Sequence, residues 1–267
     1  MKIPFYKFDG AGNDFVVIDN REGQYRLPEE EIRQICHRRF GVGADGLMTL
    51  EKVAGGEERK YAFEMKYYNS DGRLGSMCGN GGRCIAMFAH LLGMGHDFDF
   101  LGYDGPHDAT VMEWDPSVLK GMVSLGMRDV KKCDIRRLEN GWFLDTGSPH
   151  YVVEVKDLEH YDVVGEGRRL RHRADLFPEG ANIDFVEKDG DVLYVRTYER
   201  GVEDETLACG TGVTASALVT GMGLNIVTRG GGDFSVLYSE TGDAYTHVCL
   251  VGPVSLNFTG EWTSSAR

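Results

Sequence analysis

Two short segments of the 267-residue chain place a cysteine where it could act as an acid or a base. Cys78 begins the run Cys78-Gly79-Asn80-Gly81, and Cys209 begins Cys209-Gly210-Thr211-Gly212. A polar stretch that contains glycine precedes each cysteine, and an apolar segment typical of a helix follows each run. The sequence therefore holds one strand–loop–helix unit twice, with a cysteine at the predicted start of each helix.

This position of a cysteine suits proton transfer. Unpaired backbone N–H groups and the helix dipole lower the pKa of a thiol at a helix N-terminus, and the same N–H groups bind a carboxylate. Stereochemical inversion needs two matched acid/base groups, because one removes a proton from a carbon and the other returns a proton to the opposite face. The paired cysteines therefore predict inversion at a carbon beside a carboxylate, whose developing charge the N–H groups would stabilise.

Composition argues against several other classes of protein. The chain has 29 lysines and arginines against 42 aspartates and glutamates, a formal charge of −13, which disfavours nucleic acid or an anionic membrane as a partner. No segment has the ~20 apolar residues of a membrane span, and the N-terminus lacks the apolar region of a signal peptide. We expect a cytoplasmic protein whose six cysteines are free thiols. Without a Cys-x-x-Cys pair, no metal site is expected.

Short strands must position the two cysteines. In the first half the pattern predicts a helix over 28–39 and strands over 2–8, 15–19, 46–51, 60–68, 108–114 and 121–127. In the second half it predicts strands over 142–145, 150–155, 182–187, 191–198, 234–239 and 245–258. Each half also has one apolar helix, which starts at the cysteine and ends near a glycine.

These elements predict an α+β (mixed α/β) fold of two pseudo-symmetric domains. The first is expected to span residues 1–124, with a C-terminal strand at 254–267, and to carry Cys78. The second is expected to span 125–253 and to carry Cys209.

A set of further motifs resembles the diaminopimelate epimerase family, whose members invert a carbon centre without pyridoxal phosphate. The motifs follow the family's order over almost the whole chain: Gly12-Asn13-Asp14-Phe15, Gly43-Ala44-Asp45-Gly46, Asn69-Ser70-Asp71-Gly72, Ser148-Pro149-His150, Asn182, Tyr198-Glu199-Arg200-Gly201 and the two cysteine runs. The resemblance implies two similar domains, each with a strongly curved, mostly antiparallel sheet around a central helix. It also implies a homodimer that interconverts LL- and meso-2,6-diaminopimelate, in lysine and cell-wall precursor biosynthesis.

The resemblance also implies a role for each matching residue. Cys78 and Cys209 are the acid/base pair, and His150 and Glu199 support proton transfer and hold the reacting ammonium. The remaining positions bind substrate: Asn13, Asn69, Gly79, Asn80, Ser148, Asn182, Arg200, Gly210 and Thr211. No cofactor is expected, and pyridoxal phosphate in particular is not, because the cysteines move the proton directly.

The chain departs from the family's pattern at three places. Ser148 stands where many members have asparagine, so one hydrogen bond to substrate is expected to be missing or shorter. Gly46 stands where some members have a polar side chain. The approach to the second cysteine, residues 201–206, is one residue longer than usual and has Glu203-Asp204 in place of a glycine. This change puts the local loop geometry in question.

Three other functions stay open at this point. A proline or hydroxyproline racemase would use the same chemistry, although Arg200 and three asparagines favour a polar distal group on the substrate. A thiol–disulfide protein is the second alternative; an incidental disulfide between the two cysteines would abolish epimerase activity reversibly. The third is a ligand-binding protein without catalysis, against which the presence of both cysteines argues.

Overall fold

The chain folds into two units, each built from strands around a helix that begins at a cysteine. The structure is a computed structural model that describes residues 1–55, 57, 60–75 and 78–264, so the last three residues of the predicted C-terminal strand lie outside the described part. Unit 1 comprises residues 1–125 and the chain from 253 onward, and unit 2 comprises 126–252. These bounds differ from the sequence-based ones by one residue.

The described residues of unit 1 form seven strands and two helices before the chain enters unit 2. In order these are β1 (Lys2–Gly10), β2 (Asn13–Asp19), α1 (Glu29–Cys36), β3 (Gly46–Glu51), β4 (Glu64–Asn69), α2 (Gly79–Leu91), β5 (Asp97–Gly102), β6 (Gly105–Asp115) and β7 (Lys120–Gly126). Strand β5 was not predicted, because Asp97 and Asp99 give its six residues a polar outer face. Of the described residues, no helix is long and apolar enough to cross a membrane.

Unit 2 follows with its own strands and helices. It contains β8 (Val130–Lys131), β9 (Arg136–Leu138), β10 (Gly141–Asp145), β11 (Pro149–Glu154), α3 (Val163–Arg171), β12 (Asn182–Asp189), β13 (Val192–Glu199), β14 (Asp204–Thr206), α4 (Gly210–Thr220), β15 (Ile226–Thr228), β16 (Asp233–Thr241) and the first part of β17 (Ala244–Thr263). Two single-turn 3₁₀ helices, Lys132–Asp134 and Leu158–His160, lie in its connections. Strand β17 then runs on into unit 1, where residues 255–263 pair with β1.

The two units repeat one order of strand pairings. In unit 1, β1 and β2 are antiparallel, β2 and β3 are parallel across α1, β3 and β4 are antiparallel, and β4 and β5 are parallel across α2. In unit 2, β10, β11, β12, β13 and β15 repeat this sequence of pairings, with α3 and α4 as the connecting helices. A parallel pair needs such a crossover helix, and the antiparallel pairs of this series join strands that are consecutive in the chain. The predicted α+β class is confirmed.

The strands at the centre of each unit are covered on both faces. Strand β2 has the continuous apolar run 15–18, of which Val16 and Ile18 pack with Ile32 and Ile35 of α1. The opposite face packs against α2, since Phe15 lies beside Gly81 of that helix. A strand covered on both faces loses the alternation of polar and apolar residues, as β2 does. This packing fixes where the N-terminus of α2 lies relative to the strand ends of unit 1.

Candidate active site

In unit 1, Cys78 occupies the N-cap position of α2. Its backbone is extended (φ −104°, ψ 131°), the helix begins at Gly79, and the side chain is half-buried. The first turn of any helix presents N–H groups outside the helical hydrogen-bond ladder. The predicted substrate-binding residues Gly79 and Asn80 are the first two helical residues, so the predicted anion site lies beside the thiol.

Asn13 connects the Cys78 thiol to the strand ends of unit 1. Its Oδ1 accepts hydrogen bonds from Cys78 Sγ at 3.6 Å and from Asn80 Nδ2 at 3.4 Å. Its Nδ2 donates to Asp45 Oδ2 at 2.6 Å, and this bond fixes which end of the amide faces the cysteine. Asp45 in turn accepts from Arg38 at 2.6 Å. Three predicted site residues are therefore in contact.

A buried ion pair supports this turn from below. Lys7 is only 4% exposed, and its ammonium donates to Asp14 and to the carbonyl of Gly43. Burial alone would raise the pKa of Asp14, but the hydrogen bonds and charges of Arg38 and Lys7 outweigh it and lower that pKa to about 2. Asp14 is therefore ionised throughout the physiological range and holds the β1–β2 turn that carries Asn13.

Helix α2 also carries a fully buried arginine. Arg83 is 0% exposed, and its Nη2 donates to Asn80 Oδ1 at 3.0 Å. Burial lowers the pKa of Arg83, while negative charge on Cys84 and Cys78 would act in the opposite direction. Asn69, the other predicted binding residue of this unit, lies exposed at the end of β4. Sequence reasoning did not single out Arg83, although a charged residue inside an apolar helix was a signal.

In unit 2, Cys209 is the N-cap residue of α4 and is buried. Its backbone is again extended (φ −116°, ψ 108°), and the helix begins at Gly210. Cys209 Sγ lies 3.5 Å from the hydroxyl of Thr211, the second helical residue. Burial, and after it the charges of Glu199 and Asp184, raise the pKa of the thiol well above its usual value. The lowered pKa expected for a thiol at a helix N-terminus is therefore wrong for Cys209, because burial and the two carboxylates outweigh the N–H groups of the helix.

His150 lies at the centre of a polar cluster beside Cys209. Its Nε2 is 2.8 Å from Thr211 Oγ1, 3.0 Å from Ser148 Oγ and 3.3 Å from Asn182 Nδ2. The ring is fully buried, and its Nδ1 is 2.7 Å from Asp184 Oδ2. Four predicted site residues of this unit are thus brought together: Ser148, His150, Asn182 and Thr211.

Glu199 ends strand β13 beside this cluster, and Arg200 follows it. Burial raises the pKa of Glu199. The backbone N–H of Arg200 donates to Asn182 Oδ1 at 2.8 Å, and its guanidinium donates to the carbonyl of Glu179 at 3.2 Å. Arg200 thus contacts Asn182 through its backbone, while its half-buried side chain contacts the carbonyl of Glu179.

The structure accounts for each departure from the family's pattern. Ser148 Oγ bonds to His150 and Asn182 within the protein, so the short side chain is part of the cluster. A Cβ on Gly46 would lie 2.4 Å from the Tyr67 ring, which leaves no room for a larger residue. Glu203 takes the left-handed conformation (φ 60°) that a glycine usually supplies, and its carboxylate accepts from the N–H of Gly201 at 3.1 Å.

Among the described residues, no three His, Cys, Asp or Glu side chains are grouped to hold a metal ion. Sequence reasoning missed Asp184, which contacts His150 more closely than any predicted site residue does. Its position between Ile183 and Phe185 gave no clear signal, because a polar residue that alternates with apolar ones is also the pattern of a solvent-facing side chain.

The α+β unit occurs twice in the chain, and in each unit one crossover helix, α2 or α4, begins at a cysteine. Epimerases and racemases that use two cysteines belong to this class of protein. A family model described as "Diaminopimelate epimerase" matches residues 5–124 and 142–249. The chain belongs to the diaminopimelate epimerase family.

Two curated relatives and one solved structure illustrate the range of similarity. The diaminopimelate epimerase of Chlorobaculum tepidum is 41% identical over 95% of this chain and 99% of its own length. That of Flavobacterium psychrophilum is 40% identical over 95% and 97%. A probable proline racemase from Agrobacterium radiobacter K84 superposes with a TM-score of 0.63 at 13% identity, over 99% of this chain and 93% of its own. At that identity the likeness concerns the fold alone.

Proposed function

We propose that this protein is a diaminopimelate epimerase, an isomerase that interconverts LL- and meso-2,6-diaminopimelate without a cofactor. The observation that carries the proposal is the pair of cysteines, each at the N-cap of the crossover helix in its own unit. The chain's membership of the family and its identity to diaminopimelate epimerases over nearly its whole length support the same substrate.

The proposed chemistry is a two-base proton transfer at Cα. The thiolate of one cysteine takes the Cα proton, and the electron pair of the broken C–H bond delocalises onto the neighbouring carboxylate. The thiol of the other cysteine gives its proton to the opposite face of the same carbon, so the two cysteines exchange protonation states. The N–H groups at the starts of α2 and α4 would bind the carboxylate as its charge grows.

The remaining site residues would bind the two ends of the substrate. Asn80 and Thr211 follow the cysteines directly and would bind the reacting carboxylate, together with the backbone of Gly79 and Gly210. Glu199, half-buried at the end of β13, would hold the reacting ammonium. The distal amino-acid group would meet Asn13, Asn69, Asn182 and Arg200, because amides and a guanidinium suit a zwitterion.

The proposal extends to the state and location of the protein. From the family resemblance we propose a homodimer, which light scattering on the purified protein would test. We propose a cytoplasmic location because the proposed mechanism needs two reduced thiols, which a reducing compartment maintains. In the cell the product would enter lysine and cell-wall precursor synthesis.

One experiment tests the activity directly. The reduced protein is incubated with LL-diaminopimelate in D2O while NMR follows the Cα proton. The expected result is meso product that carries solvent deuterium at Cα. Deuterium exchange and racemisation on proline, with none on diaminopimelate, would instead favour the racemase alternative. No exchange on either substrate with both thiols titrated as reduced would overturn the proposal.

A further inference from the structure

The Asp184 carboxylate contacts Nδ1 of His150, whereas Thr211 contacts Nε2 of the same ring. Asp184 has no part in the substrate binding proposed above. Both side chains are 0% exposed, and Asp184 Oδ2 is 2.7 Å from His150 Nδ1. Thr197 donates its hydroxyl to the second carboxylate oxygen, Oδ1, at 2.7 Å. Both carboxylate oxygens therefore have a partner inside the protein, as a buried charge requires.

The hydrogen bonds around the histidine define which nitrogen carries the proton. The backbone N–H of Arg200 can only donate, so it fixes Oδ1 of Asn182 and turns Nδ2 of that amide toward His150 Nε2, 3.3 Å away. An amide NH2 can only donate, and this one shares its hydrogens among Nε2, Ser148 Oγ and the Pro149 carbonyl. Nδ1 faces a carboxylate, which only accepts when it is ionised, so Nε2 is the accepting nitrogen. In a neutral imidazole the proton then sits on Nδ1, where the Asp184 carboxylate accepts it.

The accepting Nε2 is the end of a hydrogen-bonded chain that reaches the cysteine. Nε2 is 2.8 Å from Thr211 Oγ1, and Thr211 Oγ1 is 3.5 Å from Cys209 Sγ. When Cys209 loses its proton, the Thr211 hydroxyl can receive that proton and pass its own to Nε2. The products are a thiolate and an imidazolium, and the Asp184 carboxylate offsets the imidazolium charge.

The corresponding position in unit 1 shows that packing does not need this carboxylate. Met48 lies two residues after Gly46, the strand partner of Phe15, as Asp184 lies two residues after Asn182, the strand partner of His150. A Cβ on Gly81 of α2 would meet Met48 Sδ at 3.1 Å, and one on Gly212 of α4 would meet Asp184 Oδ1 at 2.3 Å. The repeated fold thus packs well with an apolar side chain where unit 2 buries a charge.

We propose that Asp184 is a positioning residue that keeps the proton of His150 on Nδ1, so that Nε2 can exchange a proton with Cys209 through the Thr211 hydroxyl. The inference rests on the proposed function, because it gives His150 a part in proton transfer. Asp184 itself touches neither cysteine nor, in the proposed mechanism, the substrate. Its contribution is to set the tautomer of the ring and to stabilise its charged form.

The test combines kinetics with a measurement that needs no turnover. In Asp184→Asn, which keeps the shape, kcat for LL-diaminopimelate is expected to fall at least about tenfold while KM changes less than about threefold. Asp184→Met, which copies the residue of unit 1, should lose as much or more. Asp189→Asn removes an exposed carboxylate from the same strand and should behave as wild type.

NMR of protein labelled with ¹⁵N-histidine gives the second readout. In wild type, the ring of His150 is expected to show its proton on Nδ1, and Asp184→Asn should shift the population toward the other tautomer. A wild-type ring protonated only on Nε2 would overturn the inference, even if neither variant folds. A folded Asp184→Asn with wild-type kcat would overturn it too. Wild-type protein inactive on diaminopimelate, with the expected tautomer, would count against the proposed function instead.

Discussion

The two cysteine loops share a backbone and differ in their surroundings. Cys78 is half-buried and contacts the amide of Asn13, on a helix that also buries the guanidinium of Arg83. Cys209 is buried, and the charges of Glu199 and Asp184 act on it. One loop thus offers amides and a cation, and the other carboxylates and an imidazole. The repeated fold therefore places the two acid/base groups at equivalent positions. The side chains around each cysteine give the two thiols different properties.

The largest expected effect follows from removing either thiol. Cys78→Ala and Cys209→Ala should each lower kcat for epimerisation by about 10³-fold, because each removes one of the two proton-transfer groups. The two losses of kcat should be of similar size, because inversion needs a proton-transfer group on each face of the carbon. Cys133→Ala, at an exposed thiol of a 3₁₀ helix, is the matched control. A variant of either site cysteine with wild-type turnover would refute the two-base mechanism.

The second prediction concerns stability and compares two glycines near the starts of α2 and α4, which pack against different side chains. Gly81→Ala places a methyl group against the flexible Met48, so crowding and the gain in helix propensity should leave stability within about 1 kcal/mol. Gly212→Ala drives the same methyl group into Asp184 and His150, and should lower the free energy of unfolding by about 2 kcal/mol or more. Urea unfolding of both variants measures the difference. Equal stability of the two variants would mean that the hydrogen-bonded side chains of Asp184 and His150 make room for the methyl group as easily as Met48 does.

A smaller effect concerns the ion pair beneath Asn13. The pKa of Asp14 is about 2 in the folded protein against an ordinary 3.8. A lowered pKa stabilises the fold above the unfolded value, and this stabilisation is lost as pH falls from about 4 toward 2. Asp14→Asn should therefore cost about 2 kcal/mol at neutral pH and progressively less in acid.

Chemical denaturation at several pH values measures how the stability difference between Asp14→Asn and wild type shrinks as the pH falls. Asp99→Asn, at an exposed position of β5, serves as the control and should stay near wild type throughout. A constant difference between Asp14→Asn and wild type across the acid range would mean that the charge of Asp14 is not what stabilises the turn.

The smallest expected effect is on the reactivity of Cys209. Because the charge of Glu199 helps to raise the pKa of that thiol, Glu199→Gln should increase the thiolate fraction and speed alkylation by iodoacetamide about threefold. Epimerase turnover should fall in the same variant. Peptide mass spectrometry measures both cysteines in one sample, and an unchanged rate at Cys78 is the internal control. Slower alkylation of Cys209 would mean that the charge of Glu199 does not raise the pKa of this thiol.

Much of this arrangement could be predicted from the sequence, because it depends on local signals. The glycines after each cysteine mark where α2 and α4 begin, and Gly221 in the left-handed conformation (φ 71°) ends α4 as expected. The strands at 46–51 and 182–187 follow from their apolar residues. The family resemblance then assigned the site residues, most of which lie in contact within their own units.

The remainder depended on tertiary burial that a local pattern does not contain. Lys7 alternates in phase with the buried Ile3 and Phe5 and is 4% exposed, but a local pattern does not show that Asp14 is there to pair with a lysine on this face. Asp184 alternates with apolar residues as a solvent-facing side chain would. Only the covering helix α4 reveals that this face is interior. In both cases a hydrogen-bonding partner inside the protein offsets the cost of burying the charge.

Strand β17 has a consequence for how the protein is made. Residues 255–263 pair with β1, so the N-terminal strand emerges from the ribosome long before its neighbour has been synthesised. Unit 2 is continuous over 126–252, and its contacts are complete while unit 1 still lacks this edge. We therefore expect the Cys209 half to mature first during translation and the Cys78 half to wait, with the edge of β1 exposed as a target for chaperones.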